Sequence, residues 1–113
     1  MAIAKKALVW SLFAAGGTLT AFVFPALIAL FGLIALGFVP AGLDFQSSLA
    51  FAASWPGKII LFGIVFLALW HVAHRLRVLV HDFGIRADGV AASVLYLLAL
   101  LGTVLAAAFL WQV

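Results

Sequence analysis

Between Lys6 and Asp44 the chain contains no charged side chain, and that gap limits the fold more than any other feature. Its middle, from about Leu8 to Phe38, is broken only by small or mildly polar residues. Two further stretches follow, from about Gly57 to Asp82 and from about Val90 to Trp111, the former turning polar only towards its end. About 20 apolar residues in a helix cross a hydrocarbon core of ~30 Å, where every backbone polar group must find its partner inside the segment. The expectation is an all-α integral membrane protein with three transmembrane helices, forming one domain over residues 1–113. Charged residues are 8% of the chain against about 25% in soluble proteins, which excludes a soluble globular fold.

The first run is longer than one span requires, so tilt or a kink is expected, and Pro25 can supply the kink. Residues 39–48 carry Pro, Gly, Asp and Ser and read as a loop. Leu49 to Ala53 suits a short interfacial helix, with Trp55 at the headgroup level. Ser54-Trp55-Pro56-Gly57 opens the second span, with Pro56 in its first turn. In the turn from Phe83 to Gly89, Gly84 ends one helix and Asp88 caps the next. Lys5-Lys6 before an apolar run resembles the start of a secretory leader, but the run is too long and lacks a small-residue exit. With no cysteine, disulfides, thiolate metal sites and cysteine-bound iron–sulfur clusters are excluded from this chain. The basic residues flank apolar spans, as topology signals do, and do not suggest nucleic acid. A cytoplasmic N-terminus puts Lys5, Lys6, Arg75, Arg77 and Arg86 on one side and Lys58 alone on the other, so the C-terminus is expected outside.

All three histidines lie between Trp70 and Asp82, directly after an apolar run with nothing to break the helix. At about 100° per residue, His71, His74, Arg75, Arg77, Val78, His81 and Asp82 gather on one side. Val72, Ala73, Leu76, Leu79, Val80 and Phe83 take the other. Arg75 is about two turns before Asp82, roughly 10 Å of rise, and ionisable groups at such depth face a partner or a cavity. With the N-terminus inside, Trp10 and the His74-Arg75 pair share one leaflet. Trp10, Phe13, Ala14 and Gly17 share a helix face, and the small residues beside them admit another backbone or a flat ring.

Two readings fit these residues. In one, the basic cluster fixes topology and binds anionic lipid, and Trp10 is an interfacial anchor beside a helix-packing face. In the other, an imidazole with a pKa near neutrality and a permanently charged guanidinium serve a quinone, whose reduction puts negative charge on a carbonyl oxygen and takes up protons. His71 is a further candidate, as an axial haem ligand whose opposite ligand would come from another chain. His81 with Asp82 reads as a solvated helix end. HExxH, phosphate-binding loops, dinucleotide turns and paired carboxylates are all missing, so electrons for quinone chemistry must be handled by a partner.

Leu8-Val9-Trp10-Ser11-Leu12-Phe13-Ala14-Ala15-Gly16-Gly17, continuing through Phe24-Pro25-Ala26, resembles the N-terminal signature of the D subunit of bacterial fumarate reductase. Leu69-Trp70-His71-Val72-Ala73-His74-Arg75 with His81-Asp82-Phe83-Gly84-Ile85 resembles the end of that family's second span. The resemblance implies a membrane anchor of the bacterial inner membrane, multi-pass and inactive alone, serving anaerobic fumarate respiration. It implies a second anchor (the C subunit), an iron–sulfur subunit and a flavoprotein that carries FAD, with menaquinol as the membrane substrate and no cofactor bound covalently here. The family's menaquinol site lies on the cytoplasmic side, and the matching positions are Trp10, Phe13, Ala14, His74 and Arg75. Ala14 replaces a glycine often found there, and Val78 stands where a further histidine can occur. His71 with Asp82 gives the spacing of the haem-binding anchors of succinate dehydrogenase, so a haem-bearing anchor is the alternative, beside a structural or lipid-binding protein with no redox role.

Overall fold

The computed structural model describes residues 2–113, which form four helices and, among those residues, no strand. The helices are α1 (Ala2–Ala35), α2 (Phe45–Ala53), α3 (Trp55–Asp82) and α4 (Asp88–Gln112). Three of them, α1, α3 and α4, are long and apolar enough to cross a membrane, matching the three apolar runs. The short helix expected before Trp55 is present and begins earlier, at Phe45. Pro25 lies within α1, which continues past it as one helix.

The first span stops at Ala35, short of Phe38, because Gly37 takes a positive φ of 94°. The Phe38 amide then reaches back to the Leu33 carbonyl at 2.9 Å and the Gly37 amide to Ile34 at 3.0 Å. Such a closure satisfies carbonyls that a helix end leaves without partners, and glycine tolerates the left-handed backbone it needs. The end of α3 is built alike: Gly84 has φ 82°, with Ile85 bonded to Val80 and Gly84 to His81. Gly84 therefore ends its helix as expected. Asp88 does not cap the next one. Ala87 occupies the cap position with no side-chain bond, and the Asp88 carboxylate goes to Arg77 instead. A two-pronged, charge-assisted contact outweighs a cap to a backbone amide.

α3 is the element against which α1, α2 and α4 all pack. The contacts run antiparallel: Gly16 lies at Leu67 while Phe13 lies at His71 and His74, and Arg77 meets Asp88 while Trp55 meets Trp111. The start of α1, the end of α3 and the start of α4 therefore share one end, which carries the basic residues other than Lys58. At the opposite end Lys58 donates to the Leu110 carbonyl, in the last turn of α4, beside the Trp55–Trp111 ring pair.

Very little of this chain is buried within itself. Among the described residues the buried positions are Gly16, Gly57, Ala68, Ala73 and Ala99, together with His71. Lipid tails are as apolar as leucine, so helices associate through close backbone approach rather than by hiding large side chains. Hydroxyls are satisfied locally: Ser11, Thr18, Ser93 and Thr103 each donate to the carbonyl four residues earlier. Tyr96 is different, since its hydroxyl reaches α3.

α2 lies outside the spans, and Asp44 caps it by accepting from the Ser47 amide at 3.3 Å. Hydrogen bonding from Ser47, through its side chain and then its amide, holds the Asp44 carboxyl below its ordinary value. A depressed native pKa means the stabilisation is complete above the unfolded value and disappears as pH falls through the native one. Protection of the first-turn amides of α2, taken relative to exposed amides at the same pH, should accordingly fall as pH drops below the ordinary carboxylate range. Asp44→Ala should already show that low protection at neutral pH and lose no more on acidification.

Candidate functional site

Phe13 is the hub of the basic end. α1 presents it through the close approach at Gly16, where an added Cβ would lie 2.7 Å from both the His71 Cβ and the Leu67 carbonyl oxygen. With α1 this near, the Phe13 ring stacks on His71 at 4.7 Å and 22°, and meets His74 edge-on at 4.7 Å and 68°. The Arg75 guanidinium carbon sits 5.9 Å from the centre of the same ring, within cation–π range. Trp10, one turn earlier on α1, tilts against Phe13 at 5.5 Å. Four residues from two distant segments thus converge on one phenyl ring.

His71 is 9% exposed, and its Nδ1 is 3.2 Å from the Phe13 carbonyl oxygen. A carbonyl can only accept, so Nδ1 carries the proton and donates it. Gly17 closes on the other edge, where an added Cβ would be 3.1 Å from the His71 Cε1. Phe13 and Gly17 thereby use the ring as helix-packing surface.

On the α4 side, Arg77 holds Asp88 through Nε at 3.0 Å and a terminal nitrogen at 2.8 Å. Its other terminal nitrogen donates to the Tyr96 hydroxyl at 3.4 Å, and the guanidinium lies 5.8 Å from the Tyr96 ring centre. The Tyr96 oxygen is also 3.1 Å from Nδ1 of His74, and its ring stacks on Trp70 at 5.8 Å.

Between these two sides lies a groove of about 670 Å3 lined by Lys5, Lys6, Val9, Trp10, Leu12, Phe13, Phe66, Leu67, Trp70, His74 and Tyr96. Ligand clefts of this size typically pair apolar and aromatic walls with a few polar groups. Here the walls are mainly apolar, with five aromatic rings among them, and Lys5, Lys6 and His74 add polar groups. Of the residues singled out from sequence, Trp10, Phe13 and His74 line the groove. Arg75 does not line it and adjoins it through Phe13, while Ala14 is exposed on α1 outside it. Sequence reasoning passed over Tyr96, Trp70 and the Arg77–Asp88 pair as site residues. The signal that could have found them was Tyr96 itself, a large hydroxyl-bearing side chain in an otherwise apolar span.

The family described as the fumarate reductase D subunit matches residues 2–111. Over 78 residues the chain is 37% identical to the fumarate reductase D subunit of Actinobacillus pleuropneumoniae serotype 5b, covering 68% of this chain and 65% of that protein. It therefore spans a little under two thirds of that relative's length. The Aliivibrio fischeri fumarate reductase D subunit is 31% identical over 106 residues, 92% of this chain and 88% of the relative. Its Mycobacterium bovis counterpart of the same name is 43% identical over 98 residues, 83% and 77% of the two chains.

Proposed function

This chain belongs to the family of fumarate reductase D subunits, and from that premise we propose that it anchors a fumarate reductase in the bacterial inner membrane and forms part of its menaquinol oxidation site. The supporting observation is the aromatic groove at the basic end, where Trp10, Phe13 and His74 come together from residues some sixty positions apart in sequence. In this reading the N-terminus is cytoplasmic, so the groove opens where the soluble subunits dock, and Lys5, Lys6, Arg75, Arg77 and Arg86 obey the positive-inside rule. A second anchor and an iron–sulfur protein complete the pocket around Arg75 and Ala14, whose exposed positions suit a partner contact.

The chemistry divides simply. Menaquinol oxidation releases two electrons and two protons; an iron–sulfur partner and a flavoprotein would supply the redox groups that take up those electrons for the two-electron, two-proton reduction of fumarate to succinate. This chain carries no redox group and has no activity alone. Trp10 and Phe13 hold the flat quinol ring, with the Trp10 indole N–H as a donor to one oxygen. Arg75 keeps its positive charge and favours negative charge on the reacting oxygen. His74 assists release of the proton from that oxygen. His71 serves the α1–α3 contact, a reading that requires no haem.

Purifying the tagged chain from detergent-solubilised membranes tests the assignment. Flavin and non-haem iron should co-purify in fixed ratio with it, and menaquinol should drive fumarate reduction by the preparation. A chain that comes away alone, or with lipid only, would support the purely structural alternative. A haem absorption band lost in His71→Ala would support the succinate dehydrogenase alternative.

A further inference from the structure

From the Tyr96 contacts we infer that Tyr96, braced by Arg77 and Asp88, is a positioning residue that fixes the tautomer of His74 for the quinol reaction. The inference rests on the reading of the groove as a quinol site. Guanidinium nitrogens only donate, so the Tyr96 oxygen accepts from Arg77. The phenol hydrogen is then free to donate, and Nδ1 of His74 stands 3.1 Å away. Were Nδ1 protonated instead, the phenol oxygen would receive two donors and its hydrogen would have no acceptor among the described residues. The arrangement that satisfies every group puts the His74 proton on Nε2, the nitrogen directed away from Tyr96.

Each link has a reason to hold still. Asp88 takes Arg77 with both oxygens, at 3.0 and 2.8 Å, which fixes the plane of the guanidinium. The Tyr96 ring is held by Trp70 and by Arg77 itself, so its hydroxyl has little freedom. Phe13 meets the imidazole edge-on from α1. His74 is thus held by a helix on each side, and its outward nitrogen is a donor.

A donor at Nε2 defines how His74 assists. It cannot take the quinol proton, because that nitrogen already carries one. It donates to the quinol oxygen while the O–H bond breaks, the proton leaves to water at the membrane boundary and the electron pair stays on oxygen. The negative charge is then met by Nε2–H and by Arg75. Such a preformed donor acts without reorganising at the moment of reaction.

Tyr96→Phe keeps the ring against Trp70 and removes only the hydroxyl. In membranes holding the assembled complex, menaquinol-driven fumarate reduction is normalised to reduction driven by reduced viologen, a water-soluble dye that counts intact complexes. The expected change is a kcat lower by about three- to tenfold, the equivalent of one hydrogen bond, with little change in KM. In a His74→Ala background Tyr96→Phe should cause no further loss, because its effect passes through the imidazole. Nitrogen-15 spectra of labelled His74 should show a bare Nδ1 in the native complex and a tautomer mixture in Tyr96→Phe. A protonated Nδ1 in the native complex, or an equal loss with and without His74, would overturn the inference. So would a silent Tyr96→Phe beside an impaired His74→Ala, which would leave the quinol site standing. A His74→Ala complex with native quinol turnover would instead remove the site and the inference together.

Discussion

Menaquinol-driven fumarate reduction is expected to fall about a hundredfold or more in His74→Ala, the usual cost of losing a preorganised donor to developing negative charge. For Arg75→Leu the expected loss is about ten- to a hundredfold, from a charged hydrogen bond of roughly 1.5–3 kcal/mol. Both side chains touch Phe13, one edge-on to the ring and one 5.9 Å from its centre, but the tight backbone approach of α1 to α3 is made at Gly16, against Leu67 and His71. His74 is half-buried and Arg75 exposed, so truncating either opens no large cavity within the chain. The amount of flavin retained on the membrane should therefore stay near normal while quinol turnover drops. Electron donors separate the effects: reduced viologen enters without the quinol and should still drive fumarate reduction. Native menaquinol turnover in both variants would remove the groove from the mechanism. An equal fall with both donors would assign the residues to assembly rather than to chemistry.

The parts of the fold that could be read from sequence were those encoded within single helices. Uninterrupted apolar length announced three spans, and Gly84 and Pro56 marked a helix end and a helix start because their backbone preferences are local. The pairing of Trp10 and Phe13 with His74 followed from topology, since antiparallel spans bring the start of one to the end of the next. Contacts between α3 and α4 were less accessible. Whether Arg77 meets Asp88, and Tyr96 meets His74, depends on the vertical offset of two helices, and one helix's periodicity holds no information about that offset. Asp88 shows the ambiguity directly: an acid at a helix start suits a cap, and only the height of Arg77 sends the carboxylate elsewhere. Gly37 was obscured for another reason. It sits in continuous apolar sequence, and the helix turns off there through backbone conformation with no change in hydropathy.

That dependence on close backbone approach gives the second large effect. Gly16→Leu is expected to cut the amount of assembled complex about tenfold or more, as overpacking of a tight contact costs about 1–3 kcal/mol or beyond. The first added carbon would stand 2.7 Å from the Leu67 carbonyl oxygen and from the His71 Cβ, and a backbone carbonyl in mid-helix cannot move aside. α1 must separate from α3, and the separation removes the His71 bond to the Phe13 carbonyl together with the Phe13 stacking. The two walls of the groove come from these same helices, so quinol and viologen turnover per membrane should fall together, unlike in His74→Ala. The insertion of α1 itself should survive, because leucine only raises its apolar content. Gly32→Leu is the matched control, since a Cβ there meets nothing within 4 Å. Flavin bound to washed membranes reads the result: near-normal in Gly32→Leu and depleted in Gly16→Leu. Equal flavin in the two variants would mean that the α1–α3 contact at Gly16 is not what holds the groove together.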